Sequence, residues 1–203
     1  MPMKRLLLAT LFAALLMAAV DGPRSVREVA PGVWVRTGDR DRNQPANTGW
    51  VIFKDYVLVI DANFPWGAKE ILPEIRKTTN KPVRYVFNTH YHGDHAYGSS
   101  LFTDEGAAVV CSQPCAEETR TKGRSAWDRN QETGAYSLKP YRLIQPSIVF
   151  GESMAFDDGE HRVELKLVGP GHSRGDAIAY LPKEGILFTG DLCVTWPFGN
   201  NMA

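Results

Sequence analysis

Cysteine is scarce in this chain: three in 203 residues, at positions 111, 115 and 193. So few exclude a disulfide-built scaffold and leave stability to an apolar core. Excess charge is missing too. The 23 Lys and Arg balance 23 Asp and Glu. With no basic run and no basic patch interleaved with aromatics, nothing favours a nucleic-acid partner. Past the first 22 residues there is no long apolar run, and the mean hydropathy of -0.26 argues against a membrane-embedded fold. No Gly-x-Ser-x-Gly occurs to supply an activated serine. Histidine is also rare, with five in the chain and none after His172.

What is present begins with a leader. Lys4 and Arg5 precede an uncharged run from Leu6 to Val20, with the small residues Ala18, Ala19 and Gly22 at its exit. This is the layout of a secretory signal peptide, and the run falls short of the about 20 residues a membrane-spanning helix needs. The expectation is a signal peptide over residues 1–22 and one domain over residues 23–203. That domain would be periplasmic or secreted, with no stable membrane partner after cleavage. Cys111 and Cys115 stand too close along a strand end and a helix start for easy disulfide geometry, so buried free thiols are expected.

The scarce histidines are not scattered. His90, His92 and His95, with Asp94, fall inside the stretch Asn88–His95. Imidazole and carboxylate suit zinc, manganese and iron. The apolar run Val83–Phe87 before them reads as a buried strand that mounts the loop rigidly, with Gly93 at a tight turn.

Other strands read as 26–35 (broken at Pro31-Gly32), Gly49–Phe53, Tyr56–Ile60, Ala107–Cys111, Ser147–Phe150, Ser153–Phe156, Glu160–Val168, Ala177–Leu181 and Ile186–Phe188. Asp157-Asp158-Gly159 is a hairpin signal. Trp66–Thr79 is helical, with Ile71, Leu72 and Ile75 on one face, and Pro73 is expected to kink it or delay its start. Ser112 is placed to cap a helix from Pro114 to about Arg120. Residues 121–147 read as loops and a short helix. Residues 36–48, polar and holding Gly, Pro and Asn, read as a loop or long hairpin tip. Hairpin-linked strands with helices between some of them make an α/β layered fold.

Three further ligand-type residues sit where apolar strands end: His172 after Glu160–Val168 and directly following Gly169-Pro170-Gly171, Asp191 after Ile186–Phe188, and Asp61 after Tyr56–Ile60. Strand ends on one edge of a sheet converge, and glycines beside them (Gly93, Gly171, Gly190) permit sharp turns. His161 lies on the polar side of an alternating strand and reads as a surface residue. Phe64, Trp66, Tyr97, Trp196 and Phe198 are either cleft-lining or packing aromatics.

Thr89-His90-Tyr91-His92-Gly93-Asp94-His95 resembles the H-x-H-x-D-H signature of the metallo-β-lactamase-fold superfamily. Gly169–Ser173 resembles that family's second motif, and Phe188–Leu192 its third. The resemblance runs from about residue 26 to the end, and it implies that the polar loop 36–48 closes over the site. It implies a four-layer αβ/βα sandwich and a binuclear site for Zn2+. His90, His92 and His172 would hold the first metal, Asp94 and His95 the second, Asp191 would bridge them, and Asp61 would orient a ligand from behind. The implied activity is a metal-dependent hydrolase acting on a small-molecule ester, thioester, lactone or amide-type bond through a metal-activated hydroxide, with Asp94 steering it.

The chain departs from the family pattern in two ways. The family supplies a further histidine to the second metal from beyond the Asp191 strand, and none follows here. The second half of the sandwich is thus expected to be truncated, and the second metal site incomplete. Aspartate at 191 resembles the thioesterase-like members rather than the best-known β-lactamase subclasses. The alternatives are a β-lactam-hydrolysing enzyme, an iron-dependent persulfide dioxygenase-like oxidoreductase, and a weakly active or vestigial fragment.

Overall fold

The computed structural model describes residues 22–130, 136–195 and 199–200. Apart from Gly22, the expected leader lies outside these residues, as do Trp196, Pro197 and Phe198. Among the described residues no helix is long and apolar enough to cross a membrane.

A seven-stranded sheet carries β1 (Val26–Ala30), β2 (Val33–Arg36), β3 (Thr48–Ile52), β4 (Val57–Ile60), β5 (Val83–Phe87), β6 (Ala108–Ser112) and β7 (Ile148–Phe150) in chain order. Pairing is antiparallel from β1 to β4 and parallel from β4 to β7. Connections explain the change. A turn at Gly32, whose φ of +73° favours glycine, joins β1 to β2. Parallel pairing needs crossovers. These are α1 (Pro65–Thr78) between β4 and β5, α2 (Gly93–Ala96) with α3 (Ser99–Thr103) between β5 and β6, and the helical stretch 113–129 between β6 and β7.

The second sheet is antiparallel: β8 (Ser153–Asp157), β9 (Arg162–Leu167), β10 (Ala177–Leu181) and β11 (Ile186–Phe188), ordered β11-β10-β9-β8. Beyond it, β12 (Val194–Thr195) pairs with β13 (Gly199–Asn200).

The two sheets face each other across one core. Val33, Val51, Leu58 and Phe87 of the first meet Val163, Leu165, Ala179, Leu181 and Phe188 of the second. On the other side of the first sheet, α1 lays Ile71, Leu72 and Ile75 against Trp50, Val57 and Val59. Each fully buried side chain of this kind contributes about 1.5–3 kcal/mol. Trp50 is buried whole, and its indole N–H donates to Thr78 Oγ1 at 3.1 Å. The result is a helix, sheet, sheet sandwich. Among the described residues no helix packs broadly on the outer face of the second sheet, where Ile178 and Tyr180 are half-buried. The outermost helical layer of a four-layer sandwich is therefore not found among them.

Several expectations need correction. Pro73 does not delay α1, which runs unbroken from Pro65 to Thr78. The N–H it lacks would have met the carbonyl of Lys69, an exposed residue open to water. Ser147–Phe150 gives β7, which joins the first sheet beside β6, while the hairpin expected at Asp157–Gly159 joins β8 to β9 in the second. Helix α4 (Gln113–Glu118) does not stop near Arg120. It passes through a π-helical turn, Thr119–Gly123, into α5 (Arg124–Arg129). The loop over 36–48 is packed rather than a free flap: Arg36 is buried and donates to Gln44 Oε1 and Glu70 Oε2, both at 2.8 Å. His161 is half-buried, edge-on to Phe53, with Nδ1 3.0 Å from Glu184 Oε1.

Candidate metal centre

The parallel pairing of β4 with β5 sets Asp61 and the loop from Asn88 at the same sheet end. The second sheet brings the β9–β10 loop, with His172, and the end of β11, with Asp191, to the same place. Backbone bonds tie these pieces together. The N–H of Asp61 donates to Phe87 O at 2.8 Å, Ala62 to His95 O at 2.7 Å, and Ala177 to Thr89 O at 2.9 Å.

Nitrogen and oxygen donors of His90, His92, His172 and Asp191 all lie within 4.8 Å of one another. His172 Nε2 stands 2.8 Å from His92 Nδ1 and 3.4 Å from Asp191 Oδ2. His90 Nε2 is 4.0 Å from Asp191 Oδ2. On the far side of Asp191, His95 Nε2 lies 3.1 Å from Oδ1, and Asp94 Oδ2 lies 3.6 Å from the same nitrogen. The seven residues singled out from the sequence thus gather at one end of the sandwich.

The hydrogen-bond network behind the ring nitrogens assigns their tautomers. Asp61, 2% exposed, accepts from Thr89 N–H at 2.8 Å and from Thr89 Oγ1 at 3.0 Å. Its Oδ2 also takes the Nδ1–H of His95 at 2.8 Å. Because the Thr89 hydroxyl gives its proton to Asp61, it accepts from His90 Nδ1–H at 3.1 Å. Both Nε2 atoms are then left facing inward, and both are buried without a hydrogen-bond partner. The 3.1 Å approach of His95 Nε2 to Asp191 is close but not aligned as a hydrogen bond. Buried, unpartnered imidazole nitrogens are costly unless something binds them, and a cation does. The donor set therefore fits a metal of the zinc, iron or manganese kind.

Electrostatics point the same way. Burial, reinforced by the neighbouring His95, His92 and His172, holds His90 well below the usual histidine range and keeps it neutral. Burial and His172 also lower His92, against the pull of Asp94. At His95 burial works downward too, but Asp61, Asp94 and Asp191 outweigh it and raise it well above that range. The three carboxylates create a field that favours positive charge at His95 Nε2, whether proton or metal ion.

Glycines shape the site differently from the expectation. Gly93 does not have a positive φ; it opens α2, and a Cβ there would stand 2.6 Å from the Tyr97 ring. Gly190 has φ +55°, and a Cβ would come within 2.5 Å of Thr89 Oγ1. Gly190→Ala should therefore push Asp191 away from the histidines. The backbone strain alone is worth about 1–3 kcal/mol. The expected result is a lower melting temperature and weaker zinc binding, read by calorimetry; unchanged zinc affinity would contradict it.

Three supporting residues gave no sequence signal of their role. Thr89 links Asp61 to His90. Asp176 accepts from Ser173 N at 2.8 Å and also from its hydroxyl, closing the His172 loop. Glu118, 2% exposed, accepts the backbone N–H groups of Arg174 and Gly175 at 3.1 and 3.2 Å. Ser112 both caps α4 (Cys115 N, 3.3 Å) and donates to Gly175 O at 2.7 Å. Cys111 and Cys115 are buried free thiols behind this loop, and Cys193 is free and exposed. Phe64, Trp66 and Tyr97 pack with Trp127 and Leu138 beside α2.

Comparisons agree with this architecture. The family model for the metallo-beta-lactamase superfamily matches residues 42–202. Metallo-beta-lactamase IND-1 from Chryseobacterium indologenes is 27% identical over 150 residues, covering 72% of this chain and 54% of that protein. The chain thus spans about half the length of that curated relative. Among solved structures, a metallo-beta-lactamase from Pontibacter korlensis superposes with a TM-score of 0.69 at 23% identity, covering 85% of this chain and 74% of the other. A Cronobacter sakazakii metallo-beta-lactamase with a HARLDQ motif gives 0.63 at 20% identity, covering 86% and 65%. Fold, donor cluster and family match lead to one conclusion: the chain belongs to the metallo-beta-lactamase superfamily.

Proposed function

We propose that this chain forms the catalytic centre of a zinc-dependent hydrolase acting on a small-molecule ester, thioester, lactone or amide-type bond. The observation that carries this is the convergence of donors from His90, His92, His172 and Asp191 within 4.8 Å, with the buried Nε2 atoms of His90 and of the neighbouring His95 lacking a hydrogen-bond partner. His90, His92 and His172 are assigned to a first zinc, Asp94 and His95 to a second, and Asp191 to a position between them. When bound, zinc supplies Lewis acidity and lowers the pKa of water from near 16 towards about 7.

The chain's own residues do the rest. Asp61 and Thr89 lock the His90 and His95 rings, so both nitrogens are oriented before anything binds. Asp94, partly exposed and 3.6 Å from His95 Nε2, is placed to orient the attacking water and accept its proton. That proton can then pass to the leaving group as the bond breaks. The leader supports a working place outside the cytoplasm.

A second reading, hydrolysis of β-lactams, is favoured by the relatives, which are named as metallo-beta-lactamases. A panel of β-lactam, thioester, lactone and phosphodiester substrates tests both readings on zinc-loaded protein. Turnover of at least one substrate should vanish with chelator and return with zinc. No turnover across the panel would overturn the hydrolase reading, and oxygen uptake with iron would replace it with an oxidoreductase.

A further inference from the structure

The histidines assigned to the first metal are not held alike. His90 is 1% exposed, and Thr89 fixes its ring. The His172 side chain is 35% exposed. Packing alone does not place it, so its position depends on the loop that carries it. Thr89, Ser112 and Glu118 tie that loop down. Thr89 O accepts from Ala177 N–H at 2.9 Å, and the Ser112 hydroxyl donates to Gly175 O at 2.7 Å. Glu118 Oε2 takes the N–H groups of Arg174 and Gly175 at 3.1 and 3.2 Å. Gly175 is also pressed against α4, where a Cβ would stand 2.3 Å from Cys115 N.

Glu118 is the charged member of this set. Its side chain is 2% exposed, and a carboxylate so buried is costly unless donors surround it. Two backbone N–H groups meet Oε2, and Lys122 Nζ meets Oε1 at 2.8 Å. Lys122 in turn lies 5.8 Å from the centre of the Tyr91 ring, within cation–π range. That ring is 4.5 Å from the ring of His92. Contacts therefore run from the His172 loop through Glu118, Lys122 and Tyr91 to His92. The two ends of this path meet again at the centre, where His172 Nε2 and His92 Nδ1 are 2.8 Å apart. The π-turn that carries Lys122 is itself fixed to the site, because the Tyr97 hydroxyl donates to Gly123 O at 2.9 Å. Tyr97 directly follows α2, which holds Asp94 and His95.

We propose that Glu118 is a positioning residue of the metal centre: it holds the His172 loop so that His172 closes the first zinc site against His92. It touches neither metal nor substrate and acts through His172. Its two backbone bonds fall two and three residues after His172. Releasing them frees Arg174 and Gly175 while β9 and β10 stay paired from Leu167 and Ala177 onward. The proposal rests on the assignment of His172 to a metal, and its use in turnover rests on the hydrolase reading.

The test reads zinc affinity by competition with a chelator, and the visible absorption of the cobalt(II)-substituted protein, which reports the ligand set. Glu118→Ala should bind the first zinc about 10–100-fold more weakly and shift the cobalt bands. In His172→Ala, which keeps His90, His92 and Asp191 as donors, the same change should weaken binding no further. Glu118→Gln can still accept both N–H groups through its amide oxygen, but its NH2 faces the Lys122 ammonium. It should lose only about threefold to tenfold, and that loss too should vanish in His172→Ala. This second cycle decides the matter if Glu118→Ala does not fold. Ile71→Ala is the control for stability, since it empties part of the core under α1. It should lower the urea midpoint of the metal-free protein and leave zinc affinity and cobalt bands as in wild type. Wild-type affinity in both Glu118 variants, losses that persist in His172→Ala, or an equal loss in Ile71→Ala would each overturn the proposal. Failure of the substrate panel with this binding pattern intact would overturn the hydrolase reading alone.

Discussion

His90→Ala should abolish zinc binding at the first site and, with it, metal-dependent turnover. The residue is 1% exposed and presents Nε2 inward, with its other nitrogen held by Thr89. Alanine removes a donor that nothing else in the pocket can replace. Losing a residue that merely orients a ligand costs about 10–100-fold in affinity. Losing the ligand itself should cost at least about 100-fold, measured with a competing chelator. Stability should separate the roles further. Wild type should gain about 4 kcal/mol at zinc a thousandfold above its Kd, and the variant should gain almost nothing. Without metal the variant should be little less stable than wild type, because an unpartnered buried nitrogen leaves along with the ring. His161→Ala is the control, since that histidine pairs with Glu184 away from the centre. Full zinc occupancy in His90→Ala would sink the assignment.

The centre was legible because its chemistry is concentrated. Histidines are rare here, and three fall within six residues directly after a buried strand. His172, Asp191 and Asp61 each stood out as a polar residue ending an apolar run. Thr89 did not, because a threonine before a histidine is unremarkable until its hydroxyl is seen between Asp61 and His90. Glu118 reads as the solvated face of a charged helix, with Lys122 one turn on. Its burial comes from a loop 56 residues later in the chain, and no local pattern reports that. The same limit explains β7. Ser147–Phe150 and Ser153–Asp157 are neighbours in sequence, yet they belong to different sheets, a choice made by long-range pairing with β6 and β9. The helix after Ser112 was cut short because the π-turn shifts its periodicity at Thr119–Gly123.

Asp61→Ala should be the most destabilising single change at this end of the sandwich. The carboxylate takes Thr89 N–H, Thr89 Oγ1–H and His95 Nδ1–H, all inside the protein. Alanine leaves those donors without a partner, and breaking a buried charged contact of this kind costs about 3–5 kcal/mol. The backbone adds to it, because φ is +62° at this position and alanine resists what Asp and Asn accept. Asp61→Asn isolates the role in metal binding. Its amide oxygen can still serve Thr89, but its NH2 would face His95 Nδ1. That nitrogen must then accept, which moves the ring proton to Nε2, where the second zinc would bind. The expected pattern is a urea midpoint between those of wild type and Asp61→Ala, with zinc retained at the first site and lost from the second. Two zinc ions bound with wild-type affinity in Asp61→Asn would show that Asp61 holds the loop together but does not set the His95 tautomer.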